Sequence, residues 1–214
     1  TSWTARLKRF RMTHDNRRYA PAAARNRDPI LDVLRRFLPQ RGIVLEIASG
    51  SGEHAVHFAQ ALGPDLVFQP SDPTAEARAS IDAWVAEAGL TNIRPAMALD
   101  AAAVAWPIDK ADAVICINMI HIAPWAATTG LILGAARVLP IGGLLYLYGP
   151  YRRGGQHTAP SNERFDADLR ERNTQWGIRN FEDVVALAQN AGFGEPSVLD
   201  MPANNLSLIF RRSA

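Results

Sequence analysis

The chain has 214 residues, 48% hydrophobic and 21% charged, the make-up of one globular domain large enough to bury a full core. Its longest apolar stretches, "GGLLYLYG" and "ADAVICINMIHIA", fall far short of the roughly 20 residues that cross a bilayer, and no apolar signal-peptide core follows the amino terminus. Cys116 stands alone, which excludes an intramolecular disulfide; a cytoplasmic protein without a membrane partner is expected. The net charge of +2 hides an asymmetry: residues 1–27 hold eight basic side chains and one acid, so the remaining 187 residues carry a net −5. Basic character belongs to an arm at 1–18, and the acidic remainder, 19–214, argues against nucleic acid as a partner.

In chain order, Asp28 followed by Pro29 reads as the start of a helix that Pro39 and Gly42 stop. Strand-like runs follow at 43–47, 66–69, 93–97, 112–117 and 143–149, separated by helix-like runs near 53–62, 75–88 and 125–138. This repeated β-α-β order predicts a doubly wound, mostly parallel α/β sheet covered on both faces. A polar insertion at about 151–180 then breaks the rhythm. Within it "SNERFDADLRERN" predicts a helix with Ser161 near its start, a candidate cap over a site. After a helix near 181–191 come "PSVLD" and "LSLIFRR", joined only by "MPANN"; so short a link cannot carry a crossover, and the last two strands should pair antiparallel.

"VLEIASGSGEHAVHFA" (44–59) places a glycine turn between the first strand and the next helix. Gly50-x-Gly52-x-x-Ala55 formally satisfies a dinucleotide fingerprint, with Asp72 about 20 residues on for a ribose hydroxyl. S-adenosylmethionine sites need the same glycines and the same acid, so the turn alone does not choose. Glu46 does: a carboxylate four residues before Gly50 repels a pyrophosphate and suits an ammonium or sulfonium group. Asp100, beyond the run at 93–97, is placed to reach an adenine amino group. Ala48, Ser49, His54, Pro73, Ala101, Asn118 and Met119 join these as candidate cofactor contacts.

The acid-bearing "ExASGxG" turn, the acids at 72 and 100 and the terminal hairpin together resemble the class I S-adenosylmethionine-dependent methyltransferases. That resemblance implies a seven-stranded Rossmann-like sheet with one reversed strand, and S-adenosylmethionine as cofactor. "AAARNRDPIL", "ICINMIHIAPW", "YGPYRRGG", "PSNERFD", "WGIRN" and "DMPANNLSLIFRR" look like the successive stretches of the methyltransferase-like-26 family, from about residue 20 to the end. Three places depart from that pattern: Pro73-Thr74 for an aliphatic residue and an acid, Ala159 for serine, and Asn180 for aspartate.

In-line methyl transfer needs alignment more than a base. His121, after the strand at 112–117, is the candidate general base, since imidazole takes a proton near neutral pH; a histidine bracing its loop is the alternative. Tyr19, Arg25, Tyr148, Tyr151, Asn162, Trp176 and Arg179 are the candidate acceptor contacts, with the insertion's arginines suited to an anion. His54 and His57 sit three apart but lack a third ligand, so no metal is expected. The function expected is methylation of a small polar molecule, with RNA or protein methylation and an inactive cofactor-binding interaction protein as alternatives.

Overall fold

A computed structural model describes residues 15–213; most of the basic arm, residues 1–14, lies outside the described residues. The arm's last two residues are docked, not free. Arg18 donates its N–H to Ser80 Oγ at 2.8 Å, and the Arg17 guanidinium lies 5.2 Å from the Trp84 ring centre.

Helix α1 (Pro21–Phe37) leads into β1 (Gly42–Ile47), α2 (Glu53–Leu62), β2 (Leu66–Pro70), α3 (Ala75–Ala88), β3 (Ala113–Ile117), α4 (Trp125–Val138) and β4 (Leu144–Gly149). A small ribbon, β5 (Arg152–Arg153) with β6 (Gln156–His157), precedes α5 (Pro160–Arg172) and α6 (Phe181–Asn190). The chain ends in β7 (Ser197–Met201) and β8 (Asn205–Arg211). The main sheet has the order β2-β1-β3-β4-β8-β7, with β8 antiparallel to both β4 and β7.

Six strands stand where seven were expected, because 93–97 pairs with β2 only through the parallel bridges Phe68–Ile93 and Ser71–Met97. Phe68 N–H donates to the Asn92 carbonyl and Arg94 N–H to the Phe68 carbonyl. The next donor on that side of β2 would be residue 70, a proline with no N–H, and the pairing slips by one so that Met97 bonds the Pro70 carbonyl.

Alternate residues of each strand feed two cores. Leu45, Ile47, Val114, Cys116, Leu145 and Leu147 pack with α4 and α6; Val44, Ala113, Ile115 and Tyr146 pack with α1 and α2. Burial on both faces is why these strands read as continuous apolar runs rather than as alternation. It also makes Glu46 the odd residue of β1.

The first helix starts eight residues before the expected site. Pro21 takes the first helical turn and Pro29 lies inside the helix, where the missing N–H and ring clash cost about 3 kcal/mol. Burial of Ile30, Leu31, Val33 and Leu34, about 1.5–3 kcal/mol each, offsets this. Asp28 does not cap the helix; its carboxylate lies 2.8 Å from His57 Nε2. None of the described helices is long and apolar enough to cross a membrane.

Candidate functional site

The sheet reverses its winding between β1 and β3, and there two cavities open beyond the carboxyl ends of the strands. The turn after β1 makes the first one possible. Ala48 (φ +56), Gly50 (φ +60) and Gly52 (φ +94) bend the backbone through the left-handed region. At Gly52 a Cβ would lie 2.7 Å from Ile81 Cα, so α3 packs where a side chain would be. Asp72 locks the rim: its carboxylate accepts from Gly50 N–H at 3.2 Å and from Thr74 N–H and Oγ1 at 3.0 and 2.9 Å.

The first cavity has a volume of about 500 Å³. Ala48, Gly50, Asp72, Pro73, Asp100 and Ala101 line it, with Met119 and Ile122 across from them. Among the described residues, Asp72 and Asp100 are the only charged ones that line it, with no lysine, arginine or histidine. One oxygen of Asp100 accepts from Ala102 N–H at 2.9 Å. Thr74 lines the same cavity and caps α3.

Four expected cofactor contacts lie beneath the rim rather than on it. Glu46 is 2% exposed, its Oε2 has no hydrogen-bond partner, and burial pushes its pKa up to about 7, with the Asp72 charge adding to the rise. Ser49 stitches β1 to β2, its Oγ accepting from Ser71 N–H at 3.2 Å. Gly52 opens α2 against Ile81. His54 stacks on Phe58 and pairs with Asn26 Oδ1 at 2.8 Å, burial holding its pKa down at about 4. Asn118 faces the second cavity instead of the first.

That second cavity, about 570 Å³, gathers distant parts of the chain. Arg25 and Asn26 come from α1, Tyr148 and Pro150 from the end of β4, Asn162 and Phe165 from α5, and Pro202 and Asn205 from the terminal turn. Ile122 belongs to both cavities and forms their shared wall. Three of the expected acceptor contacts, Arg25, Tyr148 and Asn162, meet here. Ile122 and Phe165, each about 40% exposed, were not expected; a large apolar residue on a helix whose other one is Leu169 was the available signal for Phe165.

The remaining candidates stand elsewhere. His121 is fully buried and lines neither cavity; its Nδ1 accepts from Arg179 N–H at 3.3 Å and Nε2 has no partner. Burial drives its pKa down to about 3, with the Arg179 charge lowering it further, so the ring is neutral at physiological pH. A general base is therefore not offered to either cavity by this residue. Tyr151 packs edge-on against it at 5.1 Å and is also buried. Arg179 clamps the turn between the cavities through the carbonyls of Ile120 (2.9 Å) and Ala123 (2.6 Å), and Trp176 lies under Arg172. Tyr19 is 66% exposed and packs on Trp84. Packing within and against the 151–180 insertion occupies His121, Tyr151, Arg179 and Trp176, and packing on α3 occupies Tyr19.

Residues 17–212 match the family described as "Protein of unknown function (DUF938)". The chain belongs to that family. Among solved structures, this DUF938 protein is similar to an O-methyltransferase family protein from Burkholderia thailandensis, with a TM-score of 0.77 and 18% identity over 90% of this chain and 58% of that one. It is similar to an O-methyltransferase family 2 protein from Planctomyces limnophilus in complex with apigenin (TM-score 0.75, 18% identity, 89% of this chain, 58% of that one). It is similar as well to human N-acetylserotonin methyltransferase in complex with S-adenosylmethionine (TM-score 0.72, 15% identity, 90% of this chain, 53% of that one). The DUF938 chain thus has the class I methyltransferase fold and spans less than two thirds of the length of these structures.

Proposed function

We propose that the protein is an S-adenosylmethionine-dependent methyltransferase acting on a small molecule, within the methyltransferase-like-26 group that its sequence stretches resemble. The observation that carries this reading is the sign of the first cavity: among the described residues, two carboxylates and no cation line it. A pyrophosphate there would meet only negative side chains, whereas a sulfonium and an ammonium are attracted. Bound, the cofactor supplies an electrophilic methyl group. Asp72 would hold the ribose with the lone pairs its rim contacts leave over, Asp100 the adenine, and Glu46 would face the ammonium, which would restore its charge and give its orphan oxygen a partner. Pro73, Ala101 and Met119 would supply apolar walls.

His121 serves here as a brace that fixes the turn between the cavities. His121→Asn, whose amide oxygen replaces the Nδ1 acceptor, keeps turnover within about tenfold of wild type, against the loss of about 10²–10⁴ expected for removal of a general base. The acidic domain disfavours RNA.

Calorimetry tests the reading directly. S-adenosylmethionine binds, NADH does not, and Asp72→Ala weakens cofactor binding by roughly 1.5–3 kcal/mol, the usual worth of hydrogen bonds to a charged group. Tight NADH binding with none of S-adenosylmethionine overturns it.

A further inference from the structure

The second cavity restricts what can be methylated, given the methyltransferase reading on which this inference rests. Its polar groups are mostly committed to holding its own walls. Asn162 Nδ2 donates to Thr158 Oγ1 at 3.2 Å and to the Asn204 carbonyl at 3.0 Å, Asn205 Nδ2 to the Pro202 carbonyl at 2.9 Å, and Ser161 Oγ accepts from Asn204 at 3.2 Å. Asn26 Oδ1 is held by His54 Nε2 at 2.8 Å.

What remains for a ligand is one cation and one phenol, beside the Asn118 amide and the Oδ1 acceptors of Asn162 and Asn205. Arg25 is the only charged residue among those lining the cavity, and among the described residues it makes no ion pair and no side-chain hydrogen bond. Tyr148 retains its proton to donate; burial raises its pKa, so it stays a neutral phenol. Facing these donors is an apolar wall of Ile122, Phe165, Pro150 and Pro202. Such a pocket of about 570 Å³ suits a small molecule with an apolar body and an anionic group.

The same lining decides how the nucleophile is made. Among the described residues no aspartate, glutamate, histidine or lysine lines this cavity, and His121, fully buried, lines neither one. A neutral phenol, alcohol or ammonium group would have to lose a proton with no side chain to take it. A carboxylate arrives ionised and has two oxygens, one for the donors and one for attack.

We propose that the second cavity binds an apolar-bodied carboxylic acid as its carboxylate, with Arg25 selecting the charge, and that the product is a methyl ester. A carboxylate lone pair forms the new oxygen–carbon bond while the methyl carbon–sulfur bond breaks, its electron pair staying on sulfur. The carboxylate and sulfonium charges cancel, giving a neutral ester and a thioether, and no proton moves. Ile122, shared by both cavities, marks where the two ligands meet.

The full chain, S-adenosylmethionine with a labelled methyl group, and matched probes test this: phenylacetate and cinnamate against the primary amide and alcohol of each skeleton. Label is expected on the acids alone, in a product that mild alkali hydrolyses to methanol. Arg25→Gln should raise KM for the acids about tenfold or more, in line with the loss of a charge-assisted contact, with kcat and cofactor affinity little changed. Arg25→Lys should restore most of the preference for acids. Transfer to an alkali-stable position, equal reaction of amides or alcohols, an unchanged preference in Arg25→Gln, or cofactor binding without any response to the acids overturns the acceptor assignment alone. Failure of S-adenosylmethionine to bind in calorimetry overturns the underlying methyltransferase reading as well.

Discussion

The two cavities share Ile122 but are built in different ways. The first is framed by consecutive strand ends and their turns, with backbone forced into shape by Gly50, Gly52 and the Asp72 carboxylate. The second is a meeting of α1, the end of β4, α5 and the terminal turn, with α1 and the terminal turn at opposite ends of the chain, from Ala22 to Asn205. The first bears carboxylates and the second an arginine. Their contrast teaches that a ligand common to many enzymes can be held by one local turn, while an acceptor is chosen by surfaces that only packing brings together.

The largest expected effect tests the rigidity of the first rim. In Gly52→Ala the new Cβ would meet Ile81 Cα at 2.7 Å on a backbone at φ +94, and overpacking plus left-handed strain should cost about 3 kcal/mol or more in denaturant unfolding. Gly155→Ala, in the ribbon beyond β4, has φ +78 and no atom within 4 Å of the new Cβ, so about 1–2 kcal/mol of backbone strain is expected. Equal losses would remove the distinction between a packed rim and a tolerant insertion.

Glu46 gives a comparable effect with a pH signature. Its folded-state pKa, about 7, lies above the ordinary carboxylate value of 4.5 because the charged form is buried. The folded protein therefore binds more protons than the unfolded one between those values, and stability without cofactor falls as pH rises through that window. Above about pH 7 the penalty reaches about 3 kcal/mol. Glu46→Gln should raise the melting temperature at pH 8, show a smaller gain near pH 5, and weaken S-adenosylmethionine binding. A variant that is less stable at pH 8, with affinity intact, would place the carboxylate in a structural role.

The smallest effect is on the second cavity's wall. Ala159 precedes α5 with extended backbone and no side-chain cap, so Ala159→Ser should stabilise the protein by about 1 kcal/mol through a new N-cap. Thermal unfolding checks this, and cofactor affinity should not move.

The alternation of strands and helices, the reversed terminal strand and the acids at the rim were readable because each rests on local chemistry: periodicity, turn residues, a link too short for a crossover. The start of α1 was not, since Asp28-Pro29 is a sound local signal that tertiary burial of Ile30 and Leu34 overrides. Nor was the seventh strand, whose pairing fails at Pro70 on a neighbouring strand. His121 shows the same limit at the site: loop position suggested a base, and complete burial beside Arg179 leaves it neutral and outside the lining of both cavities.

By itself, then, the sequence determined the order of the elements, the glycine turn and the sign of charge at the first cavity, because those depend on residues near one another in the chain. Only the tertiary structure decided which arginine faces the second cavity, Arg25 rather than those of the 151–180 insertion, and which candidate side chains were consumed by packing. Exposure and dielectric surroundings are properties of the assembled fold, and no residue carries them before the chain has closed around it.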